Sequence, residues 1–249
     1  MLKGAIFDLG GTLMHLNVTW EQVREWRIRA IHDALTEQGA DPTHAEIGQQ
    51  WLRLHEEESE YAARTFDEIE IQESFRKLFS RLKVKPEQQP SMDELVRRFF
   101  ALEVDSWVIF PGVPQMLQQV RDLGLRMGLL SNARNDWAVK EIMKRLGLTQ
   151  YFDVILTSAA LGIRKPRPEP FREMLKALRV EAPEAVMVGN SLEADIAGAK
   201  PLGIGTIHVR FDDHPDELPL HLEDNVDPDT TVSTVRDILP AIKQMMISH

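Results

Sequence analysis

Asp8 closes the apolar run Ala5-Ile6-Phe7 and is followed by Gly10-Gly11-Thr12. Two other polar stretches stand in the same relation to apolar runs, and a third lies before a helix. Ser131-Asn132 follows Leu125–Leu130, Lys165-Pro166 precedes a helix opening near Pro170, and Gly189-Asn190-Ser191 follows Ala185–Val188 with Asp195 beyond it. In an open parallel sheet ligands bind past the carboxyl ends of the strands, so polar residues that follow apolar runs are expected to converge. A carboxylate, a hydroxyl, an ammonium and a second carboxylate in one crevice suit an anionic substrate beside a divalent cation.

The elements that position them fall into two patterns. Residues 1–8 read as a strand broken by Gly10-Gly11. From about 19 to about 105 the spacing is helical, with Trp20, Val23, Trp26, Ala30, Ile31 and Ala34 on one predicted face, and Ile71, Phe75, Leu78, Phe79 and Leu82 on another. Those stripes, with Trp51, are expected to form the core of a helical bundle. Thr19 with Gln22, Thr43 with Glu46, and Ser91 with Glu94 are predicted helix starts, where a hydroxyl caps free N–H groups and the later side chain reaches back. After Pro111-Gly112 short apolar runs (Leu125–Leu130, Val154–Leu156, Ala185–Val188 and Ile204–Val209) alternate with helical segments. Strands joined by helices imply a parallel sheet. The expected fold class is therefore α/β, a Rossmann-like parallel sheet core formed by residues 1–14 and 108–249, with residues 15–107 inserted as an all-helical cap.

Composition narrows the function. The 249 residues carry a formal charge of −10 and contain no cysteine, which excludes disulfides and thiolate chemistry and speaks against a nucleic-acid partner. No apolar run reaches the length of a membrane span, and Asp8 interrupts what a signal peptide would keep apolar. The expectation is a cytoplasmic protein with no membrane partner and an oligomeric state the sequence leaves open. Asp212, Asp213 and Asp216 are expected to lie in a solvated acidic loop, since no glycine and closing Glu complete a calcium loop there. The eight histidines show no metal-ligand spacing.

Taken together and in order, Phe7-Asp8-Leu9-Gly10-Gly11-Thr12-Leu13, Leu130-Ser131-Asn132, Lys165-Pro166-Arg167-Pro168 and Gly189-Asn190-Ser191-Leu192-Glu193-Ala194-Asp195 resemble the four motifs of the haloacid dehalogenase superfamily, whose members are mostly phosphatases. The resemblance implies that Asp8 is a nucleophile forming an aspartyl-phosphate. It further implies that Ser131, Asn132 and Lys165 hold the phosphoryl group, and that Mg2+ is bound by Asp8, the carbonyl of Gly10, Asn190 and Asp195. The implied substrate is a small phosphorylated metabolite, and the inserted helices correspond to the family's cap, where specificity is expected.

Two positions depart from the family. Where most phosphatases have a second Asp two residues after the nucleophile, to protonate the leaving oxygen, this chain has Gly10; general acid–base help is worth roughly 100- to 10,000-fold. Where many relatives have a metal-binding Asp, it has Asn190, which brings no charge. A phosphatase favouring good leaving groups, such as acyl or aryl phosphates, is the first expectation. A metal-independent 2-haloacid dehalogenase and a catalytically weak binding or regulatory protein of the same fold are the alternatives. A phosphonate hydrolase, which needs a cap lysine, fits poorly, since no Lys lies between Lys3 and Lys77. His15 is the one histidine placed as a substitute proton donor. Among Arg24, Arg27, Arg29, Arg53 and Arg64, most are expected on exposed faces.

Overall fold

In the computed structural model, which describes residues 1–211 and 226–248, the first apolar run becomes a central strand because both of its faces are covered. β1 (Gly4–Phe7) is buried at all four positions. It lies between β4 (Arg126–Ser131) and β6 (Ala185–Gly189), parallel to both, in a six-stranded sheet of order β5-β4-β1-β6-β7-β8. β5 (Val154–Thr157), β7 (Gly205–Val209) and β8 (Thr230–Val232) complete it, every pairing parallel. Alternation along the strands sends Ile6, Leu130 and Met187 to one face, against Phe171 and Met174 of α8 (Pro168–Leu178). Phe7, Leu129 and Val188 go to the other, against Leu117 of α5 (Val113–Asp122) and Ile238 and Ile242 of α10 (Val235–Ser248). Strands buried on both sides read as unbroken apolar runs, which is why β1, β4, β6 and β7 stand out in the sequence; β5, at the sheet edge, is half-buried. The Asp212, Asp213 and Asp216 loop lies outside the described residues.

Between β1 and β4 the chain leaves the sheet. A two-stranded antiparallel ribbon, β2 (Met14–Leu16) with β3 (Trp107–Ile109), brackets four helices: α1 (Trp20–Glu37), α2 (His44–Thr65), α3 (Ile71–Arg81) and α4 (Met92–Ser106). These helices bury their own cluster, in which Phe99 meets Trp51 and Phe75 edge-on at 5.1 Å each. Ala138 of α6 (Asp136–Arg145) belongs to the same cluster and seats the helices on the sheet layer.

The α1 stripe differs from the expected one. Val23, Ile31 and Ala34 are buried, joined by Ile28 and Leu35, but Trp20 and Trp26 are 46% and 44% exposed. Trp26 lies on the side away from Ile28, Ile31 and Leu35. Trp20 is the first residue of its helix, past the bundle's end, and meets Trp107 edge-on. Both threonine capping boxes form. Ser91 makes no side-chain cap, and its expected partner Glu94 binds Arg98 instead.

The insertion touches the sheet domain a second time. Asp67 bridges Ile163 in antiparallel fashion, Glu68 N–H donates to Gly162 O, and Arg164 N–H donates to Phe66 O. The segment leading to Lys165 is thereby fastened to the helices. α7 (Ser158–Leu161) joins the same region: the Ser158 hydroxyl donates to Glu68 at 2.6 Å.

Candidate active site

The strand order turns outward from β1 in both directions, so β1, β4 and β6 end around one crevice. Asp8 directly follows β1, Ser131 ends β4, and Asn190 directly follows β6. Two glycines make the approach feasible. Gly11 has φ +76, and a Cβ on it would fall 2.3 Å from the Asn190 amide. A Cβ on Gly189 would fall 2.2 Å from Asp195 Oδ2. No residue larger than glycine leaves room for those two side chains.

Lys165 enters from the loop before α8 and uses all three of its ammonium donors. It donates to Asp8 Oδ1 at 2.7 Å, Asp195 Oδ1 at 2.6 Å and the Leu130 carbonyl at 2.7 Å. Asn132 fixes its backbone: the Asn132 amide donates to Lys165 O and accepts from Lys165 N–H, each at 2.9 Å. The Asn132 side chain thus positions the lysine, with the second N–H of its amide and its main chain left over for an anion. Burial alone would lower the lysine's affinity for its proton, but Asp195 and Asp8 together hold its pKa above the ordinary value. Burial pushes the Asp195 carboxyl up to about 6, against the pull of Lys165, with Asp8 adding to the rise.

Asp8 and Asp195 are therefore not equivalent. Asp195 is fully buried, and both its oxygens are engaged, Oδ1 by Lys165 and Oδ2 by the Ser191 N–H at 3.0 Å. Here it is the counter-ion of Lys165, with one hydrogen bond to each oxygen and a second lone pair on each left over. Asp8 Oδ2 faces only the Thr12 hydroxyl among the described side chains, at 3.3 Å. The same hydroxyl lies 3.2 Å from Asn190 Oδ1, so these two oxygens converge. With a backbone carbonyl of the adjoining Gly10 loop they would offer Mg2+ the all-oxygen donors it takes, carrying a single formal negative charge. The set fits the ion, more weakly than two carboxylates would.

Above the crevice lies a cavity of about 670 Å³ between the sheet ends and the helices. Asp8, Gly10, Ser131, Asn132 and Asn190 line its floor, and Trp20, Phe99, Phe100, Trp107 and Phe110 its walls. A Cβ on Gly10 would stand 3.3 Å from Trp107 Cη2, so the indole edge covers the position where the family's second Asp projects. His15 also lines the cavity, its Nδ1 3.1 Å from Leu16 O and its ring beside Phe110. Of the five arginines singled out from the insertion, Arg27 alone reaches the cavity, where it pairs with Glu103 and lies over Phe99 at 4.8 Å. The others are exposed.

Sequence reasoning missed Arg134 and Glu58. Arg134, just past the Ser131-Asn132 motif, pairs with the buried Glu58 of α2 and with the Ser74 hydroxyl of α3 at 2.7 Å. That hydroxyl donates to Glu58 at 2.8 Å. The signal was present: Glu58 continues the inward stripe Ile47, Trp51, Leu54 of α2, and a carboxylate on such a stripe demands a buried partner. Burial first, and Arg134 and Arg27 next, hold the pKa of His55, near the same arginine, below its ordinary value.

The family model described as haloacid dehalogenase-like hydrolase matches residues 2–203, and the chain belongs to that family of hydrolases. A glyceraldehyde 3-phosphate phosphatase of Methanopyrus kandleri is 28% identical over 98% of this chain and 99% of its own. One from Pyrococcus abyssi is 37% identical over 41% of this chain and 42% of its own. Among solved structures, a 2-haloacid dehalogenase from Pseudomonas syringae superposes with a TM-score of 0.66 at 25% identity, over 98% of this chain and 99% of that one. Among the described residues no helix is long and apolar enough to cross a membrane, and no cluster of three or more His, Cys, Asp or Glu residues is arranged to hold a metal.

Proposed function

We propose that this hydrolase is a phosphatase that cleaves a small phosphorylated metabolite through an aspartyl-phosphate on Asp8. The observation that carries the reading is the Lys165 bridge: by holding Oδ1 at 2.7 Å it orients the carboxylate and leaves Oδ2 toward the cavity floor. A fixed carboxylate oxygen beside a buried cation is arranged for in-line attack on an anion, with the entropy of alignment already lost on folding. Ser131 and the main chain after it face the charge that builds on the transferring group. Asp8, the Gly10 carbonyl and Asn190 would hold Mg2+, which when bound neutralises charge on the phosphoryl oxygens. Residues 15–107 act as a lid whose helices exclude water. The similarity to a phosphatase along the whole chain supports this reading.

A 2-haloacid dehalogenase is the second reading, favoured by Gly10, since a departing halide requires no proton donor. Release of phosphate from p-nitrophenyl phosphate, with and without Mg2+, set beside release of halide from a 2-haloacid, separates them. Mg2+-dependent phosphate release that vanishes in Asp8→Asn is expected. Halide release without phosphate release overturns the phosphatase in favour of the dehalogenase, and neither product leaves a binding protein.

A further inference from the structure

We propose that the substrate is an aryl phosphate, the monoester of a phenol whose ring lies among the aromatic walls and departs as its phenolate. The proposal rests on the phosphatase reading of Asp8 and specifies its leaving group.

Three features of the cavity support it. The proton donor is missing at Gly10, and Trp107 lies 3.3 Å from where its Cβ would be, so the wall at that point is an indole edge. Trp107 meets Trp20 edge-on at 6.2 Å, and Phe99, Phe100 and Phe110 continue the surface. Aromatic rings pack against such walls in offset or edge-on contact, worth about 0.5–1.5 kcal/mol beyond burial. Third, the arginines around the cavity are already paired within the chain, Arg27 with Glu103, Arg134 with Glu58 and Ser74, and Arg164 with Glu68; among the described side chains, the unpaired buried donors there are the N–H groups at Arg27 Nε and Trp107 Nε1. A hydroxyl-rich substrate body would need donors and acceptors of its own, and each one buried without a partner costs about 1–3 kcal/mol. A phenyl ring makes no such demand.

The chemistry points the same way. A phenol ionises near pH 10, whereas an alkanol, like water, is far less acidic, so a phenolate leaves without the proton an alkoxide requires. An oxygen of the Asp8 carboxylate donates an electron pair to phosphorus, and the bond to the phenolic oxygen breaks with its pair going to the phenolate. Water then attacks the phosphorus of the aspartyl-phosphate. The pair of the broken bond returns to the Asp8 carboxylate, and both hydrogens of the water end on the released dihydrogen phosphate.

The test is a series of ring-substituted phenyl phosphates of falling phenol pKa, measured on the full chain with Mg2+ beside glyceraldehyde 3-phosphate and glycerol 3-phosphate. Expected is kcat/KM that climbs steeply as the phenol becomes more acidic, with both alkyl esters at least about 100-fold below phenyl phosphate. Alkyl esters hydrolysed as well as phenyl phosphate, or a flat dependence on the phenol, overturn the proposal and leave the phosphatase reading intact. No phosphate from any ester overturns both. Trp107→Leu is expected to raise KM for phenyl esters about tenfold more than KM for the alkyl esters, with Trp107→Phe restoring most of the difference. An equal rise for both classes assigns Trp107 a folding role only and removes the ring contact.

Discussion

The ammonium of Lys165 lies 2.7 Å from Asp8 Oδ1, and with Asp195 on its other side it forms a buried triad of one cation and two anions. Removing its charge leaves two carboxylates facing each other out of water. Lys165→Met is expected to lower stability by about 3–5 kcal/mol, read as a fall in melting temperature. Adding Asp195→Asn recovers a large part of that stability, and turnover stays absent in both. A double variant no more stable than the single one would show that charge balance is not what the lysine contributes.

Asp8→Asn keeps the size of the side chain but removes the attacking oxygen. Phosphate release is expected to fall by more than about 1,000-fold with the melting temperature changed far less than by Lys165→Met. Residual turnover close to that of the parent would take Asp8 out of the reaction.

The pH dependence of stability has a definite sign at Asp195. Burial raises its carboxyl from 3.8 to about 6, so between those values the folded chain keeps a proton that the unfolded chain has released. The stabilisation is fully present below 3.8 and is lost as pH rises through about 6. Asp195→Asn removes this titration, so its melting temperature relative to the parent is expected to improve on going from about pH 4 to about pH 8. Parallel curves for the two proteins across that range contradict the assignment.

Arg134 joins the sheet domain to Glu58 and Ser74 of the helical insertion. Glu58→Ala leaves the guanidinium without its buried carboxylate and is expected to cost about 3 kcal/mol. The double variant with Arg134→Ala loses less than the sum of the two singles. Additive losses, measured by urea unfolding, would mean that the contact is not coupled in solution.

Gly10→Asp restores the family's second carboxylate but drives it against Trp107. The single variant is expected to gain nothing on alkyl esters. Combined with Trp107→Ala it gains about 10- to 100-fold on them and little on p-nitrophenyl phosphate. Equal gains on both ester types would place the missing function elsewhere than in proton transfer.

The inner strands β1, β4, β6 and β7 were readable from sequence because they are buried on both faces, and Asp8, Ser131, Lys165 and Asn190 came with them, each tied to the end of a strand or the start of a helix, whereas the half-exposed edge strand β8 was not legible there. Local signals also identified the Thr19 and Thr43 caps, whose partners lie three residues away. What escaped depends on residues distant in the chain. Nothing local says that Asn132 grips the backbone of Lys165, that Asp195 is held on both oxygens, or that Trp107 stands over Gly10. Trp26 misled because an aromatic residue at helical spacing reads as interior, whereas the neighbouring helices cover the face carrying Ile28, Ile31 and Leu35.

The antiparallel bridge between Asp67 and Ile163 has a consequence for assembly. The strap carrying the lysine is stitched to the very helices that interrupt the domain, so excising residues 15–107 would not yield a smaller working core but one whose central cation has lost its outer support. The interruption therefore takes part in holding the reactive centre in place.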